Sequence, residues 1–308
     1  MSVLRNVLSD YLSIRRALGF KLERSEKLLD QFIDYLEREG VDHLRSEHAL
    51  AWATQPAAAR AYWWARRLEV VRVFARYLVT IDPASEVPPS DLLPYHHPRA
   101  TPYLYSDADV NALLAATSKL STPLRRATYR TLLGLLSVTG MRVGEAIALN
   151  REDVNTTDGL ITIHKGKFGK SRENPLHPTT IDALNDYLHE RDERYPDSPD
   201  PALFISGTGA RLLYSNVQRT FRRLVEQAGL QPRSRTCRPR LHDFRHTAAV
   251  NALLDAYRSG ADVQARLPLL STYLGHVNPA STYWYLSAAP ELLALAGERL
   301  ERQLTSPS

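Results

Sequence analysis

Six prolines fall between positions 83 and 102 of this 308-residue chain, in the stretch DPASEVPPSDLLPYHHPRATP. Each fixes φ, removes a backbone N–H and biases the residue before it away from the helical region. No helix can run through such a segment, so the chain is expected to break there into two folding units joined by an extended, semi-rigid connector. The expected boundaries are 1–82 for a first domain, 83–104 for the connector and 105–308 for a second domain.

Apolar residues recur at helical spacing before the break: Val3, Val7, Tyr11 and Leu12, then Leu28, Leu29, Phe32 and Leu36, then Leu68, Val71, Phe74, Ala75 and Leu78. Gly19 and Gly40 lie between these stripes as stop signals. The first unit therefore reads as a small all-helical domain. Beyond the connector, Ser106 with Asp109 three residues on has the form of a capping box opening a helix over DADVNALLAAT, and another helix is expected from about Pro123 to the stop at Gly140. The alternation in GLITIHK, the glycine-containing GKFGK and the following SRENPL predict a hairpin. Further helices are expected around Ile181, Leu184, Tyr187 and Leu188 and around Val217, Phe221, Leu224 and Val225. The tail PELLALAGERLERQL reads as an amphipathic helix that either folds back on its own domain or docks on a neighbour. The expected fold class is mainly α, with one small antiparallel sheet in the second domain.

Composition removes several classes of function. A single cysteine, Cys237, excludes an intramolecular disulfide framework and a cysteine-based zinc cluster, and points to a reducing compartment. No run of about 18 apolar residues is present, and the first residues, MSVLRNVLSDYL, are amphipathic and carry an acid, so a soluble, cytoplasmic protein is expected. The net charge of +5 is compatible with an anionic partner such as nucleic acid without identifying one.

The placement of the charges is more informative than their total. Arg142 sits in SVTGMRVGEAIALN, an apolar neighbourhood in which an unpaired guanidinium is costly, so it needs an anion; Glu145, one turn on, is the internal candidate. His242 and Arg245 in RLHDFRHTAAV are three residues apart and share a helix face. Around them Arg233, Arg235, Arg238 and Arg240 form a basic approach, either a solvated charged loop or a set of phosphate contacts. The segment LLSTYLGHVNPASTYWYLS sets His276 after a Leu-Gly turn, with Tyr283 and Tyr285 behind it. Two arginines, two histidines, a lysine and a tyrosine are together the side chains that metal-free phosphoryl transfer by a tyrosine nucleophile requires.

The ordered set TGMRVGE, KGKFGKSR, HDFRH and LGH, followed by a tyrosine nine positions after that last histidine, resembles the tyrosine recombinase (phage integrase) family over about residues 105–290. The helical unit before it resembles the family's core-binding domain. The resemblance implies a site-specific recombinase that cleaves and rejoins DNA through a 3′-phosphotyrosyl intermediate, without metal or nucleotide cofactor, in integration or excision of a mobile element. It makes Tyr285 the nucleophile, with Arg142 and Arg245 on the non-bridging phosphate oxygens. Lys167 would be the general acid toward the departing 5′-oxygen, His242 the acceptor or orienter of the tyrosine proton, His276 a donor to the scissile phosphate, and Glu145 an orienter of the basic groups. Permanently charged, planar guanidinium forks suit the charge that gathers on those oxygens. Lys165 and Lys170 compete with Lys167 and otherwise contact phosphate; Tyr283 competes with Tyr285.

The family also implies DNA contacts from the first domain. Over residues 1–80 there are thirteen Lys and Arg against ten Asp and Glu, a modest excess, but Arg15, Arg16 and Lys21 cluster and Arg66, Arg67, Arg72 and Arg76 lie along one helix. Arg238 and Arg240 join Lys165 and Lys170 as DNA contacts expected in the second. Expected partners are double-stranded DNA and further copies of the chain, a dimer on a site and a tetramer in synapsis with the C-terminal helix exchanged, alongside accessory recombinases or DNA-bending proteins. The expected location is then at the nucleoid. A type IB topoisomerase acting as a monomer and a DNA-binding protein without catalysis would use many of the same residues. His96 and His97 lack a neighbouring acid or cysteine and read as loop rather than metal site, and SGTGAR lacks the lysine and serine of a nucleotide-binding loop.

Overall fold

The computed structural model describes residues 2–93, 100–164, 171–196, 198 and 200–275, together with 294 and 297. Its contacts divide the chain into two units, Met1–Arg99 and Ala100–Ser308. Among the described residues no helix is long and apolar enough to cross a membrane.

The first unit contains α1 (Val3–Ala17), α2 (Glu23–Arg38), α3 (Ser46–Thr54) and α4 (Ala61–Leu78). Helices α1, α2 and α4 bury the stripes that their spacing predicts, except that Val3 at the start of α1 is exposed and Leu4 takes its place in the core; Leu29, Phe32, Ile33 and Leu36 of α2 meet Val71, Phe74 and Leu78 of α4. Gly19 and Gly40 follow the ends of α1 and α2 with φ of 87° and 66°, a conformation that glycine takes without the Cβ penalty. Helix α3 is an addition to the expected set. Of its two large apolar residues, Trp52 is buried with Ala49 and Ala53, its ring centre 5.1 Å from that of Phe32, and Leu50 packs partly buried against the same core.

The arginines of α4 part company with the expectation of a common DNA face. Arg67 is buried: its guanidinium lies 3.8 Å over the Trp52 ring and donates to the Trp52 carbonyl at 2.8 Å. Arg72 is buried too, and donates to the carbonyls of Pro88 at 2.8 Å and Pro89 at 2.7 Å while pairing with Glu69. Arg66 and Arg76 are the exposed pair. The same bonds change the picture of the proline stretch. Prolines cannot donate, but their carbonyls still accept, and Arg72 uses them to hold residues 88–89 against α4. Ser85 accepts from the Leu44 N–H at 2.9 Å, and Glu86 accepts from the Ser46 N–H and from Arg45, each at 3.0 Å. Residues 85–89 thus belong to the first unit rather than to an extended connector. Arg72→Ala leaves two carbonyls without their donor and is expected to lower the unfolding free energy by about 1–3 kcal/mol, read as a lower urea midpoint. Arg76→Ala, at the exposed end of the same helix, should shift it by less than about 0.5 kcal/mol.

The second unit is built around α6 (Pro123–Thr139), whose Leu132, Leu133, Leu135 and Leu136 are buried. The Ser106–Asp109 capping box opens α5 (Asp107–Ala116), and Thr122 and Pro123 open α6. After α7 (Val143–Ala148) come β1 (Val154–Asn155), β2 (Leu160–Ile163) and β3 (Arg172–Pro175), an antiparallel sheet in the order β1-β2-β3. The expected hairpin is β2–β3, with Ile163 opposite Arg172 and Leu160 opposite Pro175; β1 adds a short third strand. Helices α8 (Pro178–Arg194), α9 (Tyr214–Gln227), α10 (Asp243–Arg258) and α11 (Val263–Leu274) follow. Ile161 and Ile163 of β2, Phe221 of α9 and Phe244 of α10 join the α6 core, while Val250, Leu253 and Leu254 of α10 pack with Val263, Leu267 and Leu274 of α11 in a second cluster.

Candidate active site

Four element ends meet in the second unit: the C-termini of α6 and α11 and the N-termini of α7 and α10. Gly140 ends α6 at φ 60°, and a Cβ there would stand 2.9 Å from the Ala248 Cβ on α10 and 3.1 Å from a Leu274 methyl on α11. This closeness lets α10 send Arg245 beneath both helix ends. Arg245, 2% exposed, donates to the Gly140 carbonyl at 3.0 Å and to the Leu274 carbonyl at 2.6 Å. Arg142 precedes α7 and reaches the Gly275 carbonyl at 3.4 Å. The last carbonyls of a helix have no donor within it and carry the negative end of its dipole, so guanidinium groups are favoured at both ends.

Glu145 organises the other side of Arg142. Its Oε2 accepts from the Arg142 N–H at 3.0 Å, capping α7, and its Oε1 accepts from the Arg142 guanidinium at 2.7 Å. Arg172, the first residue of β3, forks the same carboxylate at 2.8 and 3.3 Å and donates through Nε to the Tyr273 carbonyl at 2.9 Å. Burial works to raise the Glu145 pKa, but the Arg172 fork and the Arg142 N–H outweigh it and hold the carboxyl at about 2. Glu145 is therefore both the ion-pair partner of Arg142 and the group that orients it. Gly275 leaves the space that Arg172 fills: it has φ 69°, and a Cβ would lie 2.7 Å from the Arg172 guanidinium. Gly275→Ala combines backbone strain with displacement of that fork, and is expected to cost about 1–3 kcal/mol in urea unfolding.

His242 opens α10 with its residue surface exposed and its ring 4.8 Å from that of His246, edge to face. Crowding of the ring by the protein, then the charges of Arg245, Arg142 and Arg240, lower its pKa to about 4, which keeps the imidazole neutral at physiological pH. Next to it Asp243 is fully buried and bound by Arg240 through Nε at 3.0 Å and a terminal nitrogen at 2.8 Å.

Arg142, Glu145, His242 and Arg245 are thus gathered at one site. Lys165, Lys167, Lys170, His276, Tyr283, Tyr285 and the C-terminal tail lie outside the described residues. Arg240 binds Asp243 with its fork while its side chain stays 40% exposed, and Arg238 is exposed. In the first unit Arg15 lies 3.9 Å over the Phe20 ring, Arg16 pairs with Glu26, and Lys21 is exposed. Sequence reasoning missed Arg172 and Asp243. The available signal was an acid between His242 and Arg245, and an arginine two residues past the last hairpin lysine.

The profile of the phage integrase family matches residues 104–291. The "Putative integrase/recombinase y4rB" of Sinorhizobium fredii is 45% identical over 309 residues, covering 98% of each chain. The tyrosine recombinase XerC of Chlamydia caviae is 29% identical over 234 residues, covering 74% of this chain and 68% of its own. Among solved structures, the Tn1549 transposon integrase in complex with transposon right end DNA superposes with a TM-score of 0.67 at 16% identity, covering 98% of this chain and 99% of its own.

Proposed function

The chain belongs to the phage integrase family of tyrosine recombinases, enzymes that break and rejoin DNA, and from that premise we propose a site-specific recombinase that works through a 3′-phosphotyrosyl intermediate on Tyr285. What supports the reading is the meeting of Arg142, Arg245 and the neutral His242 around two helix ends, with Arg142 still 25% exposed. In this reading the Tyr285 oxygen attacks phosphorus and its proton passes to His242. The bond from phosphorus to the 5′-oxygen breaks, and that oxygen takes a proton from Lys167. His276 and the two guanidiniums share the charge on the non-bridging oxygens, where one well-placed donor is worth about 10²–10³ in rate. The reverse attack, by a 5′-hydroxyl of the partner duplex, rejoins the strand and frees the tyrosine. The phosphodiester energy is kept in the protein–DNA bond throughout, so no nucleotide is consumed.

Exchange between two duplexes cuts four strands and needs four tyrosines, which sets two copies on each site and four in the synapse. The first unit, residues 1–99, would bind the duplex through the exposed Lys21, Arg66 and Arg76. Mobile-element integration or excision is the role proposed, supported by likeness to y4rB over nearly the whole chain. The test is direct. Random duplexes selected by gel shift supply the site, and a nicked form of that site should trap a denaturant-resistant protein–DNA adduct. Site-independent relaxation of supercoiled DNA by a single copy would favour the topoisomerase reading instead, and binding without any adduct would leave a non-catalytic DNA-binding protein.

A pH dependence follows from His242. Protonated imidazole cannot take the tyrosine proton, so cleavage falls as pH falls. Crowding of the ring and the neighbouring arginines hold the pKa at about 4 against an ordinary 6.5, and an incoming phosphate offsets the arginine charges and moves it back upward. Single-turnover cleavage should therefore show an acid limb between about pH 4 and 6.5, absent in His242→Ala.

A further inference from the structure

We propose that Arg172 is a positioning residue for strand cleavage, keeping the Glu145 carboxylate paired when Arg142 transfers its guanidinium from that carboxylate to the scissile phosphate. The inference rests on the reading of Arg142 as a phosphate clamp. One terminal nitrogen of Arg142 is 2.7 Å from Glu145 Oε1, so a phosphate must compete with an acid already in place. Glu145 is only 8% exposed in its side chain. A carboxylate buried to that degree and left with no cation is strongly unfavourable, so with Arg142 as its only cation the acid would hold it back from DNA.

Arg172 removes that obstacle. Its fork reaches both carboxylate oxygens, at 2.8 and 3.3 Å, and serves Glu145 without Arg142. It is itself fixed, with a side chain 11% exposed, its Nε donated to the Tyr273 carbonyl at 2.9 Å, and its guanidinium in the space that Gly275 leaves. An arginine so held stays with Glu145, while Arg142, 25% exposed and 3.4 Å from the Gly275 carbonyl, is the member of the pair able to turn. The charge count agrees. Two guanidiniums against one carboxylate leave one positive charge for the phosphate; without Arg172 the Arg142–Glu145 pair is neutral. Among the described residues, Arg245 is held by the Gly140 and Leu274 carbonyls and Arg240 by Asp243.

The experiment measures single-turnover cleavage of a nicked duplex carrying the selected site, with gel-shift affinity and thermal melting as controls. Arg172→Ala is expected to cleave about a hundredfold more slowly than the parent while binding DNA normally. Arg172→Lys keeps the charge but loses the fork, and should cleave more slowly than the parent yet faster than Arg172→Ala. Adding Glu145→Gln to Arg172→Ala should restore the rate to that of Glu145→Gln alone, because the acid that needed a partner is gone. A double variant as slow as Arg172→Ala would overturn the proposal and make Arg172 a buttress for the end of α11, as would parental cleavage by Arg172→Ala. If Arg172→Ala does not fold, Arg172→Gln with and without Glu145→Gln makes the same comparison. Parental cleavage by Arg142→Ala would instead defeat the clamp reading, and the proposal with it, in a variant where Arg172 is untouched.

Discussion

Tyr285→Phe is expected to form no covalent adduct on the nicked site, while Tyr283→Phe forms it at a rate close to the parent's. The phenyl ring fills the same space, so folding and DNA affinity should be retained and the loss assigned to the missing oxygen. Without a nucleophile the two-step route closes altogether, and the reduction is limited only by detection. Adduct loss in Tyr283→Phe with retention in Tyr285→Phe would transfer the role. Strand exchange surviving in Tyr285→Phe would overturn the phosphotyrosyl mechanism itself.

The second large effect is expected at Arg245. Arg245→Lys keeps the charge but can neither span the Gly140 and Leu274 carbonyls nor present a planar fork to two phosphate oxygens. Cleavage should fall by about 10²–10³, the scale of losing one donor to a developing charge. Gel-shift affinity should change by no more than a few-fold, since many exposed cations share the binding of the duplex backbone. A carbonyl left without its donor costs about 1–3 kcal/mol, so unfolding in urea must be followed in parallel to separate slower chemistry from a smaller folded fraction. Parental cleavage by this variant would remove Arg245 from the phosphate site.

Much of the site was legible because its residues answer to chemistry. Arg142, His242 and Arg245 stand in segments whose types and spacing admit few other uses, and the fold brings all three together. The α2 and α4 stripes were legible for a similar reason, being long and strongly periodic. Helix α3 was not, because its nine residues carry two large apolar side chains, Leu50 and Trp52, only two positions apart, too few to register a helical period. Arg67 and Arg72 misled because charge alone says nothing about which way a long side chain turns: Trp52 and the proline carbonyls that receive them come from distant positions. The Arg240–Asp243 fork was hidden for a related reason, since no local pattern reveals the complete burial of Asp243. Arg172 looked like one more cation after a run of lysines, and its meaning came only when β3 carried it to Glu145 and Tyr273. The assignments at Lys167, His276 and Tyr285 rest on motif alone.

Gly140 carries a consequence for how such an enzyme can change. A side chain there would collide with α10, which bears His242 and Arg245, and with α11, whose last carbonyl Arg245 holds. The clearances are 2.9 and 3.1 Å, so the arginine site is a single casting whose parts cannot be adjusted one at a time. Variation toward new DNA targets is thereby excluded from this crossing and confined to surfaces that touch the duplex without touching the phosphate under attack. A lineage of such chains would diversify in address while keeping one chemistry, and random mutagenesis should find altered target choice at exposed positions such as Lys21, Arg66 and Arg76 well before it finds a tolerated replacement for Gly140.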